Sequence, residues 1–138
     1  MHYTAVEEIP VGEVCTVGMF FVNKHPAIVL FDSGASYSFM SQAFASKYGQ
    51  KIIEVDKGGY SISSAGATIS TNQIVRGVLI SIQEREYTVD LIVLLRLAID
   101  VILGMKWMSA HGVLIDTSTR TIMLREPKGG NAFLVPLP

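Results

Sequence analysis

At 138 residues, with 49% apolar and 17% charged residues, the chain is the size of one domain with a core of its own, and its composition excludes a disordered polypeptide. Eleven basic against twelve acidic residues leave a net charge of -1, and no segment gathers Lys or Arg into a patch that could neutralise a phosphate backbone; nucleic acid is not an expected partner. The single cysteine, Cys15, excludes an internal disulfide and a Cys-based zinc cluster, and is expected as a small buried hydrophobe in a reducing compartment.

In chain order, the opening MHYTAVEEIP has no basic stretch followed by an apolar one, so no secretory signal is expected. Short runs rich in Val, Ile, Leu and Thr then alternate with Gly, Ser, Asn and charged pairs, the pattern of an all-β domain. Strands are predicted near 14–23, 27–32, 51–62, 67–82, 86–94, 100–103, 113–116 and 120–125. A first short helix is predicted from Met40 to Tyr48, with Ser38 or Ser41 as N-cap and Gly49 as the stop, and a second from Met105 to Ala110, ending near Gly112. Small residues around Gly66 predict a hairpin with a light tip, and Gln83 to Glu86 predicts a polar turn. The most apolar segment, Leu91 to Met105, is broken by Arg96 and Asp100 and is too short to span a bilayer, so the expected setting is intracellular, cytoplasmic, without a membrane partner. After the Pro- and Gly-containing stretch 126–130, Ala132 to Leu137 reads as an apolar strand that either pairs at an edge or is a disordered end.

Chemistry concentrates in AIVLFDSGASYSF, residues 27–39. A buried strand that delivers a carboxylate, Asp32, into a glycine turn carries a desolvation cost that needs a task or a partner. Far along the chain, Val101-Ile102-Leu103-Gly104 runs directly into the second predicted helix. Together VLFDSGASYSF, LIVL at Leu91 to Leu94 and DVILGMKWMSAHGVLID resemble the retroviral-type aspartic proteases, and within them the protease domain of gypsy-type long-terminal-repeat retrotransposons, especially those of plants. The resemblance covers about Gly18 to Leu124. It implies an all-β fold, a closed single-lobe retropepsin-like barrel with one or two short helices, working as a homodimer on a peptide or polyprotein substrate with no cofactor and no metal. It divides the chain into an N-terminal segment 1–13 as a possible dimer strand, a protease domain 14–126, and a tail 127–138 as a second possible dimer strand.

The resemblance also assigns roles. Asp32 becomes the catalytic carboxylate; Ser33, Gly34, Ala35, Ile102, Leu103 and Gly104 support its loop, with Ile102 expected to touch substrate side chains; Ser64, Ala65, Gly66 and Ala67 become the flap that closes over the peptide. Metal-free peptide hydrolysis needs a carboxylate to take a proton from water and a second, protonated carboxyl to polarise the scissile carbonyl. This chain carries one such motif, so two-fold pairing of identical chains would supply the other Asp32. Asp90, Asp100 and Asp116 do not precede Ser/Thr-Gly and read as structural. His2, His25 and His111 share no ligand spacing, and His111 reads as a helix C-terminal residue whose charge suits the dipole. A serine-hydrolase arrangement of Ser36 or Ser38 with His111 and Asp116 lacks the nucleophile-elbow pattern. Where retroviral relatives carry an acidic residue after the first motif and an Arg after the second glycine, this chain has Ser36 and Met105; where the plant elements usually have Asp, it has Lys106. The alternative reading is a catalytically silent domain of the same fold that serves dimerisation or interaction.

Overall fold

Two-residue polar turns join two of the hairpins of this all-β fold. The computed structural model describes residues 15–55, 58–64 and 67–138. In chain order the elements are β1 (Cys15–Val22), β2 (His25–Asp32), β3 (Phe39–Ser41), α1 (Gln42–Lys47), β4 (Ile53–Glu54), β5 (Tyr60–Ser64), β6 (Ala67–Thr71), β7 (Gln73–Ile82), β8 (Arg85–Leu94), β9 (Val101–Leu103), α2 (Met105–Ala110), β10 (Leu114–Asp116), β11 (Thr121–Arg125) and β12 (Ala132–Pro136). Asn23 and Lys24, at φ 46° and 69°, turn β1 into β2, and Gln83 and Glu84, at φ 48° and 66°, turn β7 into β8. Positive φ at both positions gives the turn a twist that matches the strands.

The main sheet runs β1-β2-β9-β3-β8-β7-β4, and β1 also pairs with β7 through Phe21 opposite Ser81 and Val22 opposite Ile80. Six strands therefore close into a barrel, with β4 appended to β7 and no exposed edge along the closure. Asn23 fastens the seam: its N–H donates to the Leu79 carbonyl at 2.8 Å, and its Oδ1 accepts the Leu79 N–H at 2.8 Å. The β2–β9 and β3–β8 pairs are parallel, and β9 lies between β2 and β3. This crossing brings the two distant sequence motifs side by side, with Leu30 opposite Ile102 and Phe31 opposite Leu103.

Side-chain alternation along the crossing strands divides the core in two. Val29 and Phe31 of β2, and Val101 and Leu103 of β9, enter the main core with Tyr87, Trp107 and Ile122. Leu30 and Ile102 face the other way, into a smaller cluster with Ala35, Phe39, Ile62, Ile92, Leu94 and Ile99. Each fully buried side chain of this size contributes about 1.5–3 kcal/mol over an exposed one. The β5–β6 hairpin supplies Ile62, with Tyr60 and Ile69 packed beside it, and so sits over the smaller cluster.

Several boundaries differ from the sequence expectation. Phe39–Ser41 is a strand, not the start of a helix, because it fills a place between β8 and β9; α1 begins at Gln42 with Ser41 as its N-cap, Oγ accepting the Phe44 N–H at 3.0 Å. The predicted strand 51–62 becomes β4 and β5, and the predicted strand 67–82 breaks at Asn72, where the chain leaves the hairpin for the barrel. Both breaks mark a change of partner, to which local apolar periodicity is blind. Cys15 is half-buried where a buried residue was expected. Segment 1–13 lies outside the described residues.

The tail pairs within its own chain. β12 joins β11 from Thr121 opposite Pro136 to Arg125 opposite Ala132, in a three-stranded sheet β10-β11-β12. Arg85 holds the turn before it through a two-pronged contact with Glu126, at 2.7 and 2.8 Å, and its guanidinium lies 3.6 Å from the Phe133 ring centre. Among the described residues, no helix is long and apolar enough to cross a membrane.

Candidate active site

Asp32 ends β2 one step beyond Phe31, so the alternation that buries Phe31 in the main core turns Asp32 toward the side of Leu30 and Ile102. Its side chain is fully buried. The Gly34 N–H donates to Oδ1 at 2.9 Å, and the Ala35 N–H donates to the Asp32 carbonyl at 3.2 Å, so residues 32–35 form a tight turn with the carboxyl fixed at its entrance. Ser33 and Gly34 are half-buried, whereas Ala35 is fully buried in the smaller cluster.

The second motif locks this turn from behind. The Met105 N–H donates to the Ala35 carbonyl at 2.6 Å, and the Lys106 N–H to the Ser36 carbonyl at 3.1 Å. Gly104, the N-cap of α2, donates its N–H to Ser38 Oγ at 3.0 Å. The amide groups that a helix leaves unpaired at its start are thus satisfied by the carbonyls and hydroxyl of the Asp32 loop. A Cβ on Gly104 would fall on the Tyr37 carbonyl oxygen and lie 2.7 Å from that of Ala35. Only glycine allows this approach.

The predicted site residues therefore fall into three groups. Asp32, Ser33, Gly34 and Ala35 share one turn, and Leu103 and Gly104 back it. Ile102 pairs with Leu30 and Phe39 in the sheet, and its side chain is fully buried in the smaller cluster with Ala35 beneath the loop. Ser64 and Ala67 form the last rung of the β5–β6 hairpin, while Ala65 and Gly66 lie outside the described residues.

The structure also adds Ser38, whose buried hydroxyl joins the motifs. Its sequence signal is position alone, six residues after Asp32 and just before an apolar pair. A serine triad is not assembled: Ser38 Oγ is committed to Gly104, and Asp116 Oδ1 accepts from the Ser118 hydroxyl and the N–H groups of Ser118 and Thr119, which hold its carboxyl below the usual range. Asp100 Oδ2 accepts the Ile28 N–H at 2.8 Å, and Asp90 Oδ1 accepts the Gly77 N–H at 2.9 Å, beside Arg76. Lys106 lies with its Nζ 4.3 Å from the Tyr37 ring centre, a cation–π contact in place of an acidic residue at the helix start.

The retroviral aspartyl protease family matches residues 2–130. The chain belongs to that family. Among solved structures, the chain is similar to the retroviral protease-like domain of Ddi1 from Leishmania major, with 15% identity and a TM-score of 0.60 over 90% of this chain and 95% of that one. It is also similar to the EIAV protease complexed with the inhibitor HBY-793, with 19% identity and a TM-score of 0.54 over 75% of this chain and 93% of that one. At these identities the likeness is one of fold. No curated protein sequence matches the chain significantly.

His111 behaves differently from the charged helix-end residue expected from sequence. It is the C-cap of α2, but its ring packs against Tyr87 and Trp107, with centres 4.9 and 4.7 Å apart, and burial pushes its pKa below the ordinary value. The phenol of Tyr87, pushed by burial up to about 12, stays protonated and donates to the Arg125 carbonyl at 2.6 Å. Since the folded state holds the His111 proton less tightly than the unfolded chain, the associated stability is present above the unfolded value of about 6.5 and is lost as pH falls through the lower folded value. Thermal melts across this range are expected to fall with acidity more steeply for the wild type than for His111→Phe. Equal slopes would remove His111 from the pH response.

Proposed function

We propose that this aspartyl protease domain is an active endopeptidase whose working species is a homodimer, with two Asp32 carboxyls facing each other across the two-fold axis. The observation that carries the reading is the Asp32 turn, held by its own Gly34 N–H and clamped from behind by the start of α2. A chain with one such turn needs a second copy to complete a pair, and an isologous interface brings the same residue to itself. As in aspartic proteases generally, two adjacent carboxyls share one proton. The ionised one takes a proton from water as the water oxygen attacks the scissile carbonyl carbon, and the protonated one donates to the carbonyl oxygen. Breakdown returns a proton to the departing nitrogen and leaves a carboxylic acid and an amine.

In this reading Ser33, Gly34 and Ala35 are the wall of this centre, Ile102, Leu103 and Gly104 its support, and Ser64, Ala65, Gly66 and Ala67 its flap. The close agreement of VLFDSGASYSF and DVILGMKWM with gypsy-type elements of plants supports a retrotransposon origin and a polyprotein substrate. β12 presents one edge with no partner among the described residues, which suits a strand added from the second chain. The competing reading, a silent interaction domain, draws on Ser36 and Met105 standing where relatives carry ionic braces.

Sedimentation at micromolar concentration, run beside cleavage of a broad peptide library at mildly acidic pH, tests the proposal. The expected result is a dimer, with pepstatin-sensitive cleavage whose rate rises more than linearly with chain concentration. Dimeric protein that cleaves no peptide would overturn it in favour of the silent domain.

A further inference from the structure

The segment after β8 leaves two long side chains outside while burying their neighbours. Leu94 is fully buried, and Ile99 is buried in the smaller cluster with Leu97 packed against it, so the chain between β8 and β9 is pinned at both ends. Between those anchors Leu95 is 73% exposed and Arg96 is exposed.

Beside it lies a hollow of about 250 Å³ lined by Ile69, Leu94, Leu95 and Arg96. It lies between the β5–β6 hairpin and the loop, above the cluster that holds Ala35 of the Asp32 turn. Its volume is below the ~300–1,000 Å³ typical of sites for whole drug-sized ligands, which suits a single apolar side chain. Among the described residues that line it, three are aliphatic and one carries a guanidinium. Among the described residues Arg96 has no hydrogen-bond or ion-pair partner, whereas Arg76 faces Asp90 and Arg85 grips Glu126. An arginine at the mouth of an apolar hollow pairs best with a carboxylate, which can accept two of its N–H groups at once.

We infer that Arg96 sets substrate selection at this site, and that the hollow takes a peptide with an apolar side chain followed or preceded, within two residues, by Asp or Glu. The spacing follows from extended peptide, in which residues two apart share a face. This rests on the protease reading for its meaning in catalysis. The recognition itself uses described residues of one chain and needs neither cleavage nor a second copy.

The experiment separates the two. Fluorescence anisotropy on the Asp32→Asn protein compares two labelled extended peptides that differ only in Glu or Gln two residues from a Leu. The Glu peptide is expected to bind about tenfold more tightly, as a charge-assisted bidentate pair would give. That ratio is expected to collapse toward one in Arg96→Gln on the same background, and Arg96→Glu is expected to favour a Lys peptide instead. Equal binding of the Glu and Gln peptides, a Glu preference that survives Arg96→Gln, or no binding of either peptide would each overturn the inference. The same peptides are then offered to protein with Asp32 intact. Arg96-dependent binding without cleavage would sink the endopeptidase reading and leave this one standing; cleavage indifferent to Arg96 would do the reverse.

Discussion

Asp32→Asn is expected to lower peptide cleavage by a factor on the order of 10²–10⁴, the usual contribution of a positioned proton-transfer group. The reason is chemical rather than structural. Asparagine keeps an oxygen that can accept the Gly34 N–H, the bond that fixes the side chain at 2.9 Å, so the turn and its clamp have no cause to move. What it loses is the ability to take a proton from water. In a homodimer every copy changes at once, so no ionised carboxyl remains at the centre. Cleavage kinetics with a thermal melt on the same samples check both halves of the prediction: activity gone, melting temperature nearly kept. A variant that cleaves as fast as the wild type would remove Asp32 from the chemistry, and one that unfolds would show that the carboxyl is there for the turn alone.

Gly104→Ala is expected to do the opposite, destabilising the whole domain by about 3 kcal/mol, the upper end of ordinary overpacking costs. Those costs are usually softened because neighbouring side chains shift. Here the added methyl meets backbone, the carbonyl oxygens of Tyr37 and Ala35, and each way out breaks something. If α2 retreats, the Met105 and Lys106 N–H groups lose the carbonyls of Ala35 and Ser36, and the Gly104 N–H leaves Ser38 Oγ. If the loop retreats, Asp32 moves with it. Denaturant melts give the stability change, and cleavage at a temperature where the variant is still folded is expected to fall as well. A change below about 0.5 kcal/mol, the range of neutral surface substitutions, would mean that the two motifs are less tightly joined than their hydrogen bonds indicate.

Much of this was legible in the chain. The run Ala27 to Asp32 announces a buried strand that carries a charge, and the small residues after it announce a turn; both are local properties, set by hydrophobicity and side-chain size. The helix at Met105–Ala110 and the Gln83–Glu84 turn are likewise written in a few neighbouring residues. β3 was not legible, because Phe39-Met40-Ser41 is a strand only through the parallel partner β8 on one side and the antiparallel partner β9 on the other. The break at Asn72 is of the same kind, since β6 and β7 answer to different sheets.

At the site the division follows the same physics. Sequence by itself determined that Asp32 would stand at the mouth of a glycine turn, because residue type and order encode local conformation directly; that the Val101–Gly104 segment would accompany it was implied only by the family resemblance. Tertiary structure alone decided that Ile102 is buried beneath the loop, that Ser38 is the bolt between the motifs, that His111 sits among aromatic rings and holds its proton weakly, and that Arg96 stands at an apolar hollow. Each of these depends on what lies opposite a side chain in space, and contacts between residues tens of positions apart are made only when the barrel closes.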